Sequence, residues 1–400
     1  MSARDHAAWA QAPRLPASHF VSGLVYTDPE VYADELSEIF GKVWRFACHE
    51  SELPEVYDYR VFDHAGQSLF AIRGPDNRIR TFLNVCAHRG ARLLHQPSGN
   101  ASRITCFYHL WTYDALGKCT GIPRPVGYET AGLKRSALGL REIHTQVKLG
   151  LVFINLDDQA CGLDEFLGPA MDNLTSVLGG VPLEVFHYNR VVLDANWKAW
   201  HETNMDIYHE NMHVVLRKTQ LKAMPMEDRR LAVFANGHAS SGELKAEYSG
   251  YDGFAARGED VPPLPGVTST DFRFVDLFPA TAILSRGTVI RIDNATPLGL
   301  GKTLLEMRGL GIKGEPDEHR QTRITHHNQY WGPFGRNVPE DMFAAEACEV
   351  GFRHGAARYQ IIAREENLSG QDDAILRAFY AEWGRRLGRR PSDPLASHPA

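Results

Sequence analysis

Asn84-Val85-Cys86-Ala87-His88-Arg89-Gly90 and Cys106-Phe107-Tyr108-His109-Leu110-Trp111-Thr112-Tyr113-Asp114 are the two stretches on which the reading of this chain turns. Each carries one Cys and one His, as Cys86 with His88 and Cys106 with His109, and 17 residues separate His88 from Cys106. One thiolate and one imidazole from each pair suffice to hold a 2Fe-2S cluster, with both sulfurs on one iron and both nitrogens on the other. Neutral imidazoles in place of anionic thiolates remove negative charge near the cluster and raise its potential above that of an all-Cys ferredoxin. The same four donors also suit a closed zinc site, and either pair alone would usually be a buried thiol beside a surface imidazole.

The surroundings favour the cluster. With the Arg89-Gly90 turn and the Trp111, Tyr113 and Gly117 that follow, the segment closely resembles the Rieske family. Leu110 departs from it, standing where that family often has Gly, while all four ligands are intact.

Four hundred residues, 43% hydrophobic and 23% charged, suit a globular protein of two domains. No apolar run approaches the length of a membrane span. The start Met1-Ser2-Ala3-Arg4-Asp5-His6 lacks the apolar core of a secretory signal. Six cysteines are sparse, and Cys48, Cys119, Cys161 and Cys348 show no pairing rhythm, so a reducing cytoplasm is expected. A net charge of -6 argues against a nucleic-acid partner. The basic run Arg385 to Arg390 is read as completing the C-terminal end of a helix over Ala374 to Leu387.

Asp28-Pro29 opens a helix whose apolar positions, Tyr32, Leu36, Ile39, Phe40 and Val43, recur at helical spacing. Alternating stretches at 57–62, 68–72, 80–83 and 149–155 then predict a small antiparallel β-domain with the ligand pairs on its loops. Past residue 160 the pattern is mixed. Helices are expected over 163–178, from Asn196, and around 340–353 and 371–387. Strands are expected at 185–193, 272–278, 282–284, 289–292 and 303–307. Residues 250–267 read as a loop that would lie over a pocket.

A second ligand group sits in Asn196-Trp197-Lys198-Ala199-Trp200-His201-Glu202-Thr203-Asn204-Met205-Asp206-Ile207-Tyr208-His209-Glu210-Asn211-Met212-His213. His209 and His213 are four apart, so on a helix both imidazoles leave one face and meet one metal. Asp206, one turn earlier, is placed to accept the second ring N–H of a ligating His. His209 to His213 also matches HExxH, the zinc-metalloprotease helix with Glu210 as general base. The following Val214-Val215-Leu216-Arg217-Lys218 lacks the Gly and third His of the extended protease motif, however.

The Asn-Trp-Lys lead, the position of Glu202 and the Asp-x-Tyr-His core resemble instead the large oxygenase component of Rieske non-haem iron oxygenases. That family usually places four or five residues between its two His ligands, and this chain has three. Gly332 to Asp341 resembles the family's late segment, in which an Asp opening a helix completes the iron site. The resemblance therefore implies Asp341 as carboxylate ligand, with Glu346 and Glu349 as alternatives. Two His and one carboxylate leave adjacent coordination positions open.

The resemblance covers nearly the whole chain and implies an α+β architecture. An antiparallel β Rieske domain over 40–160 would be joined to a helix-grip catalytic domain of 1–39 and 161–400. It further implies O2 as co-substrate, and electrons from NAD(P)H passed by a reductase, with or without a ferredoxin, to the cluster and on to Fe(II). The implied assembly is a homotrimer, with or without a small beta subunit, in which Asp206 bridges His109 of one subunit to His209 of the next. Expected chemistry is hydroxylation, in most members dihydroxylation, of an aromatic and in some cases acidic substrate. Two alternatives stay open: a Rieske monooxygenase or demethylase of a non-aromatic or N- or O-methyl compound, and a pure electron carrier. Arg286, Arg291 and Arg308 are candidates to grip a carboxylate or sulfonate, Tyr208 and Trp200 to line the pocket.

Overall fold

The structure is a computed structural model that describes residues 11–128, 130–213, 222–242, 244–247 and 260–396. Of the loop expected over 250–267, residues 250–259 lie outside these. The chain divides into two compact units, 40–163 and 1–39 with 164–400. No described helix is long and apolar enough to cross a membrane.

In the unit of residues 40–163, β1 (Arg45–His49), β2 (Asp58–His64), β3 (Gln67–Arg73), β4 (Ile79–Leu83), β5 (Ser98–Asn100), β9 (Glu142–Lys148) and β10 (Leu151–Asn155) form one sheet. Its order is β1-β10-β9-β4-β3-β2-β5, antiparallel throughout. β10 is buried from end to end, which is why it reads as an unbroken apolar run rather than an alternation. β6 (Arg103–Thr105), β7 (Thr112–Asp114) and β8 (Cys119–Gly121) make a second, three-stranded sheet. Phe70, Phe82, Ile104, Trp111 and Tyr113 fill the core beside Cys86 and Cys106.

The other unit is built on a larger antiparallel sheet. β11 (Leu183–Leu193), β12 (Leu231–Val233), β13 (Ala239–Ser241), β14 (Asp271–Leu277), β15 (Thr281–Arg286), β16 (Val289–Gly299) and β17 (Lys302–Ile312) run in the order β11-β17-β16-β15-β14-β13-β12, with Leu244–Glu247 also on β14. The longer described helices of this unit are α1 (Trp197–Met205), α2 (Asp317–Trp331), α3 (Val338–Arg353) and α4 (Ala374–Leu387). α1 packs on β15 and β16, and α2 on β16 and β17.

Pairing register decides which residues face those helices. Phe272, Phe274 and Asp276 on β14 pair with Arg286, Leu284 and Ala282 on β15, and Leu284 and Ala282 pair with Arg291 and Asp293 on β16. Cross-strand partners share a face, so these side chains form one surface. On β17, Gly309 pairs with Arg291, and a methyl group there would sit 2.8 Å from His327 Nε2 of α2. The bare backbone makes room for the helix.

Two expected helices are interrupted. The N-terminal one begins as predicted, with the Asp28 carboxylate accepting from the Glu30 and Val31 amides, but passes at Glu35 into a π-helical turn. The helix expected over 163–178 is α-helical over Leu163–Leu167, 3-10 over Gly168–Leu174 and α-helical again over Thr175–Gly179. Gly168 takes φ +50° and Pro169 has no amide to donate, so the regular ladder stops there.

Candidate metal centres and the adjoining cavity

The two Cys/His pairs sit on loops of matching geometry. Cys86 N–H donates to Ala91 O and Gly90 N–H to Cys86 O, while Cys106 N–H donates to Trp111 O and Leu110 N–H to Cys106 O. Each loop closes through a residue of positive φ, Gly90 at +70° and Leu110 at +57°. That explains why glycine suits position 110, and why Leu110, 58% exposed, is tolerated: only its backbone is strained.

Cys86 and Cys106 are buried, and the Tyr113 hydroxyl lies 3.3 Å from Cys86 Sγ while accepting from the Ala87 amide. His88 stacks on Trp111 at 4.6 Å and meets His109 edge-on at 4.6 Å, with its Nε2 3.3 Å from the Tyr128 hydroxyl. The other ring nitrogen of each His, Nδ1, is buried without a hydrogen-bond partner. Two buried thiols and two buried, unpartnered imidazole nitrogens are the donor set a Rieske cluster requires, so the residues fit the group. Burial, then the neighbouring His109 and Arg89, hold His88 below its ordinary value, toward the neutral form that binds metal.

In the other unit, His209, His213 and Asp341 each present a ligand atom within 4.8 Å of the others. Asp341 Oδ1 lies 3.2 Å from His209 Nε2 and 3.4 Å from His213 Nε2. Both imidazoles therefore aim Nε2 at the carboxylate. Neither Glu346 nor Glu349 joins them: Glu346 accepts from the Asp194 amide and Glu349 from the Asn196 amide. Burial pulls the His209 ring down, but the Asp341 carboxylate and then Asp206 more than offset it, leaving the ring raised. Two imidazoles and one carboxylate fit a mononuclear ferrous ion.

The backbone that carries the His pair differs from the expected helix. α1 ends at Met205, Asp206 is extended at φ −87° and ψ 91°, Ile207–Met212 is a 3-10 helix, and His213 is extended again. In consequence the Asp206 backbone carbonyl, not its carboxylate, accepts the His209 Nδ1 proton. The Asp206 carboxylate is left with Oδ1 buried and unpartnered. For His213 the orienting group is Glu340, whose Oε2 lies 2.8 Å from Nδ1. Sequence reasoning missed Glu340, although an acid next to Asp341 is a visible signal. Glu210 is gripped by Arg229 through two hydrogen bonds of 2.5 and 2.7 Å, which removes the general base the HExxH reading needs.

A cavity of about 130 Å³ adjoins His209, His213 and Asp341. Its apolar wall includes Phe272, Phe274, Leu284 and Trp331, and its cations include Arg229, Arg286 and Arg291. Arg291 donates to Asp293 at 2.7 Å and to the Asn204 side-chain Oδ1 at 2.7 Å. Arg286 stacks on Tyr330, its guanidinium carbon 4.1 Å from the ring centre. Arg308 does not belong here. It pairs in register with Ile292, so it lies on the opposite sheet face, against Tyr188. Trp200 is buried and Tyr208 half-exposed under Arg364; neither lines the cavity.

Residues 43–134 match the family model of the Rieske 2Fe-2S domain, and residues 182–389 that of the ring hydroxylating alpha subunit catalytic domain. Similar along nearly its whole length is the 2-aminobenzenesulfonate 2,3-dioxygenase subunit alpha of an Alcaligenes species, 42% identical over 97% of this chain and 98% of that one. The methanesulfonate monooxygenase hydroxylase subunit alpha of Methylosulfonomonas methylovora is 40% identical over 98% of this chain and 97% of its own. Among solved structures, naphthalene 1,2-dioxygenase from a Rhodococcus species shares the fold, with a TM-score of 0.81 at 23% identity over 92% of this chain and 94% of that one.

Proposed function

Since the chain belongs to the ring-hydroxylating alpha-subunit family of Rieske oxygenases, with a Rieske cluster and a mononuclear iron as its cofactors, we propose that it oxygenates a small, single-ring organic anion. His209, His213 and Asp341 would hold the iron; Cys86, Cys106, His88 and His109 would hold the cluster. When bound, the cluster relays single electrons and the iron activates dioxygen.

The observation that carries the substrate reading is the cavity. Its volume of about 130 Å³ is near that of an engineered cavity of about 150 Å³ that holds benzene. One aromatic ring fits, between apolar walls and arginines, beside the three converging ligands. The apolar wall of Phe272, Phe274, Leu284 and Trp331 lowers the local dielectric and strengthens charge interactions beside it. Relatives of 42% and 40% identity, named for an aminobenzenesulfonate and for methanesulfonate, favour an anionic substrate. The second name also supports the alternative of a monooxygenase acting on a non-aromatic compound.

Electron entry follows from Asp206. With the backbone carbonyl holding His209, the Asp206 carboxylate remains to accept a donor from elsewhere, and we assign that donor to the partner subunit's His109 in a trimer. A reductase, with or without a ferredoxin, would reduce the cluster. In this reading Asp206→Asn keeps three irons per chain and a normal cluster spectrum but loses turnover. A substituted protein that forms product at the wild-type rate would remove the bridge.

The reaction itself is tested by anaerobic reduction followed by oxygen exposure in the presence of aromatic sulfonates, aromatic carboxylates and alkanesulfonates. Expected is faster cluster reoxidation, with oxygen from O2 in the product, for at least one of them. Two irons per chain in faithfully reconstituted protein, or zinc in place of the third, would exclude an oxygenase.

A further inference from the structure

We propose that Arg291 anchors the substrate's oxyanion, a sulfonate or carboxylate, through its Nη1 nitrogen and so holds the substrate at the metal end of the cavity; this rests on the oxygenase reading above.

The guanidinium is built into the wall and only partly used. Arg291 is 3% exposed, and its guanidinium carbon lies 5.3 Å from the centre of the Trp331 ring. Both of its hydrogen bonds leave from Nη2, one to Asn204 Oδ1 and one to Asp293 Oδ2. Nε is buried without a hydrogen-bond partner, and among the described residues nothing accepts from Nη1. A guanidinium carries five N–H donors and keeps its charge at every working pH, so three donors here lack an acceptor. A buried donor without one costs about 1–3 kcal/mol, and more when it is charged. Nη1 is not shut off as Nε is, and the space beside Arg291 is the cavity that it lines. An oxyanion in that space supplies the missing acceptor through a charge-assisted hydrogen bond.

The neighbouring charges leave this role to Arg291. In Arg229 all three nitrogens are engaged, Nε by the Met224 carbonyl and the two terminal ones by Glu210. Asp293 is a weak competitor for the charge of Arg291. Burial raises its carboxyl to about 6 in spite of that arginine, and Asp341 adds to the rise.

Position supports the assignment. Asn204 lies in the last turn of α1, five residues before His209, and the charge of Asp341 reaches Asp293. Arg291, bonded to both Asn204 and Asp293, therefore stands at the metal end. Its cross-strand partner Leu284 is two residues before Arg286 on β15, a span of roughly 6.6 Å, so Arg286 marks the far end. An anion held at Nη1 leaves its organic part over Leu284 and Phe274, in the same cavity as His209, His213 and Asp341.

The test measures equilibrium binding under nitrogen by calorimetry, so that it does not depend on turnover. Reduced holoenzyme is titrated with benzenesulfonate, benzoate, methanesulfonate and the neutral benzenesulfonamide. Wild-type protein is expected to bind at least one of the anions, and comparison of benzenesulfonate with benzoate says which oxyanion is preferred. Arg291→Gln is expected to weaken that anion about 10- to 100-fold, the loss of a charge-assisted hydrogen bond, and to change benzenesulfonamide less than about 3-fold. Arg291→Lys keeps the charge but not the planar set of donors, so it is expected to weaken the anion about 3- to 10-fold, and it decides where Arg291→Gln does not fold. Iron content and cluster absorbance of each protein report folding independently of binding.

Anion affinity that is unchanged in either variant, equal loss of the sulfonate and the sulfonamide, or a wild-type enzyme that binds none of the three anions overturns the assignment. A wild-type enzyme that oxygenates only neutral compounds also sinks Arg291 as the anchor but leaves the oxygenase standing. Failure of the oxygenase itself would show separately, as a missing third iron.

Discussion

Glu35 is 1% exposed and accepts three hydrogen bonds: from Lys198 Nζ at 2.6 Å, Trp197 Nε1 at 2.8 Å and Trp383 Nε1 at 2.7 Å. Lys198 lies in the first turn of α1, and its side chain is fully buried. Replacing Glu35 by Leu strands an ammonium and two indole N–H groups in the interior. Losing one partner of a buried ion pair costs about 3–5 kcal/mol, and each stranded indole adds about 1 kcal/mol or more. The ammonium term has a ceiling, because Lys198 can shed its proton instead. Burial already pulls this group below its ordinary value, against the pull of Glu35. Neutralising a lysine of reference pKa about 10.4 at pH 7 costs about 4.6 kcal/mol, at about 1.36 kcal/mol per pH unit. The sign of the pH dependence follows. In Glu35→Leu the folded state binds fewer protons than the unfolded state below pH about 10.4, so its stability rises with pH toward that value. Urea unfolding followed by tryptophan fluorescence at pH 7, 8 and 9, with wild type subtracted, should show a deficit of about 6.6 kcal/mol at pH 7. That deficit should shrink by about 1.4 kcal/mol per unit. The double variant Glu35→Leu/Lys198→Met should retain only the deficit of the two indoles, about 2 kcal/mol, with no pH slope. A deficit under 1 kcal/mol at pH 7, or one that does not change with pH, would refute the reasoning.

Glu340→Gln should weaken metal at the mononuclear site 10- to 100-fold, read by competition titration with Co(II), and leave the cluster spectrum unchanged. Leu110→Gly should relieve a residue held at φ +57° and stabilise the Rieske unit by about 1 kcal/mol, measured as slower thermal bleaching of the cluster; faster bleaching would contradict it. Acid should destabilise the chain from pH 6.5 down to about 4.5. His64, His238, His326 and His327 are buried neutral, with pKa values lowered to about 3, 4, 3 and 3, so the unfolded state takes up protons there first. Asp293, raised to about 6, and Asp276, also raised, act in the opposite direction. Glu202, which burial also raises, acts with them, so the net is about one proton, a loss of about 1.4 kcal/mol per pH unit in urea midpoints measured across that window; a flat profile would show that these histidines are solvated.

What could be read from the sequence was what obeys a local rule. Cys86, His88, Cys106 and His109 stand out by residue type and spacing, and the strands between 271 and 312 by alternation and apolar content. α2 was invisible for a physical reason. Its buried residues are Arg323, His326, His327, Tyr330 and Trp331, so the face that packs on the sheet is largely polar and no apolar period marks it. The arginines show a second limit. Arg291 and Arg308 are equally plausible anion ligands as sequence, and only the register, Arg308 opposite Ile292 and Arg291 opposite Leu284, puts them on different faces. Glu340 was missed because its role depends on a partner 127 residues away.

The short spacing between His209 and His213 joins these threads. On a regular α-helix, residues four apart point about 40° from each other, so the geometry of the helix alone would make the rings converge. A 3-10 helix, at three residues per turn, sets them about 120° apart, and Ile207–Met212 is a 3-10 helix. The convergence must therefore be imposed from outside the local backbone. His213 leaves the turn in extended conformation and is held by Glu340, one residue before Asp341, while His209 is held by the carbonyl of Asp206. With both Nδ1 atoms hydrogen-bonded, both Nε2 atoms are directed at the carboxylate. It follows that the start of α3 supplies both the carboxylate and the clamp on the second imidazole. Metal affinity should then respond to Glu340 and hardly at all to the Asp206 carboxylate, whose loss should appear in turnover instead. If Asp206→Asn lowered metal affinity as much as Glu340→Gln, this division between the two acids would be wrong.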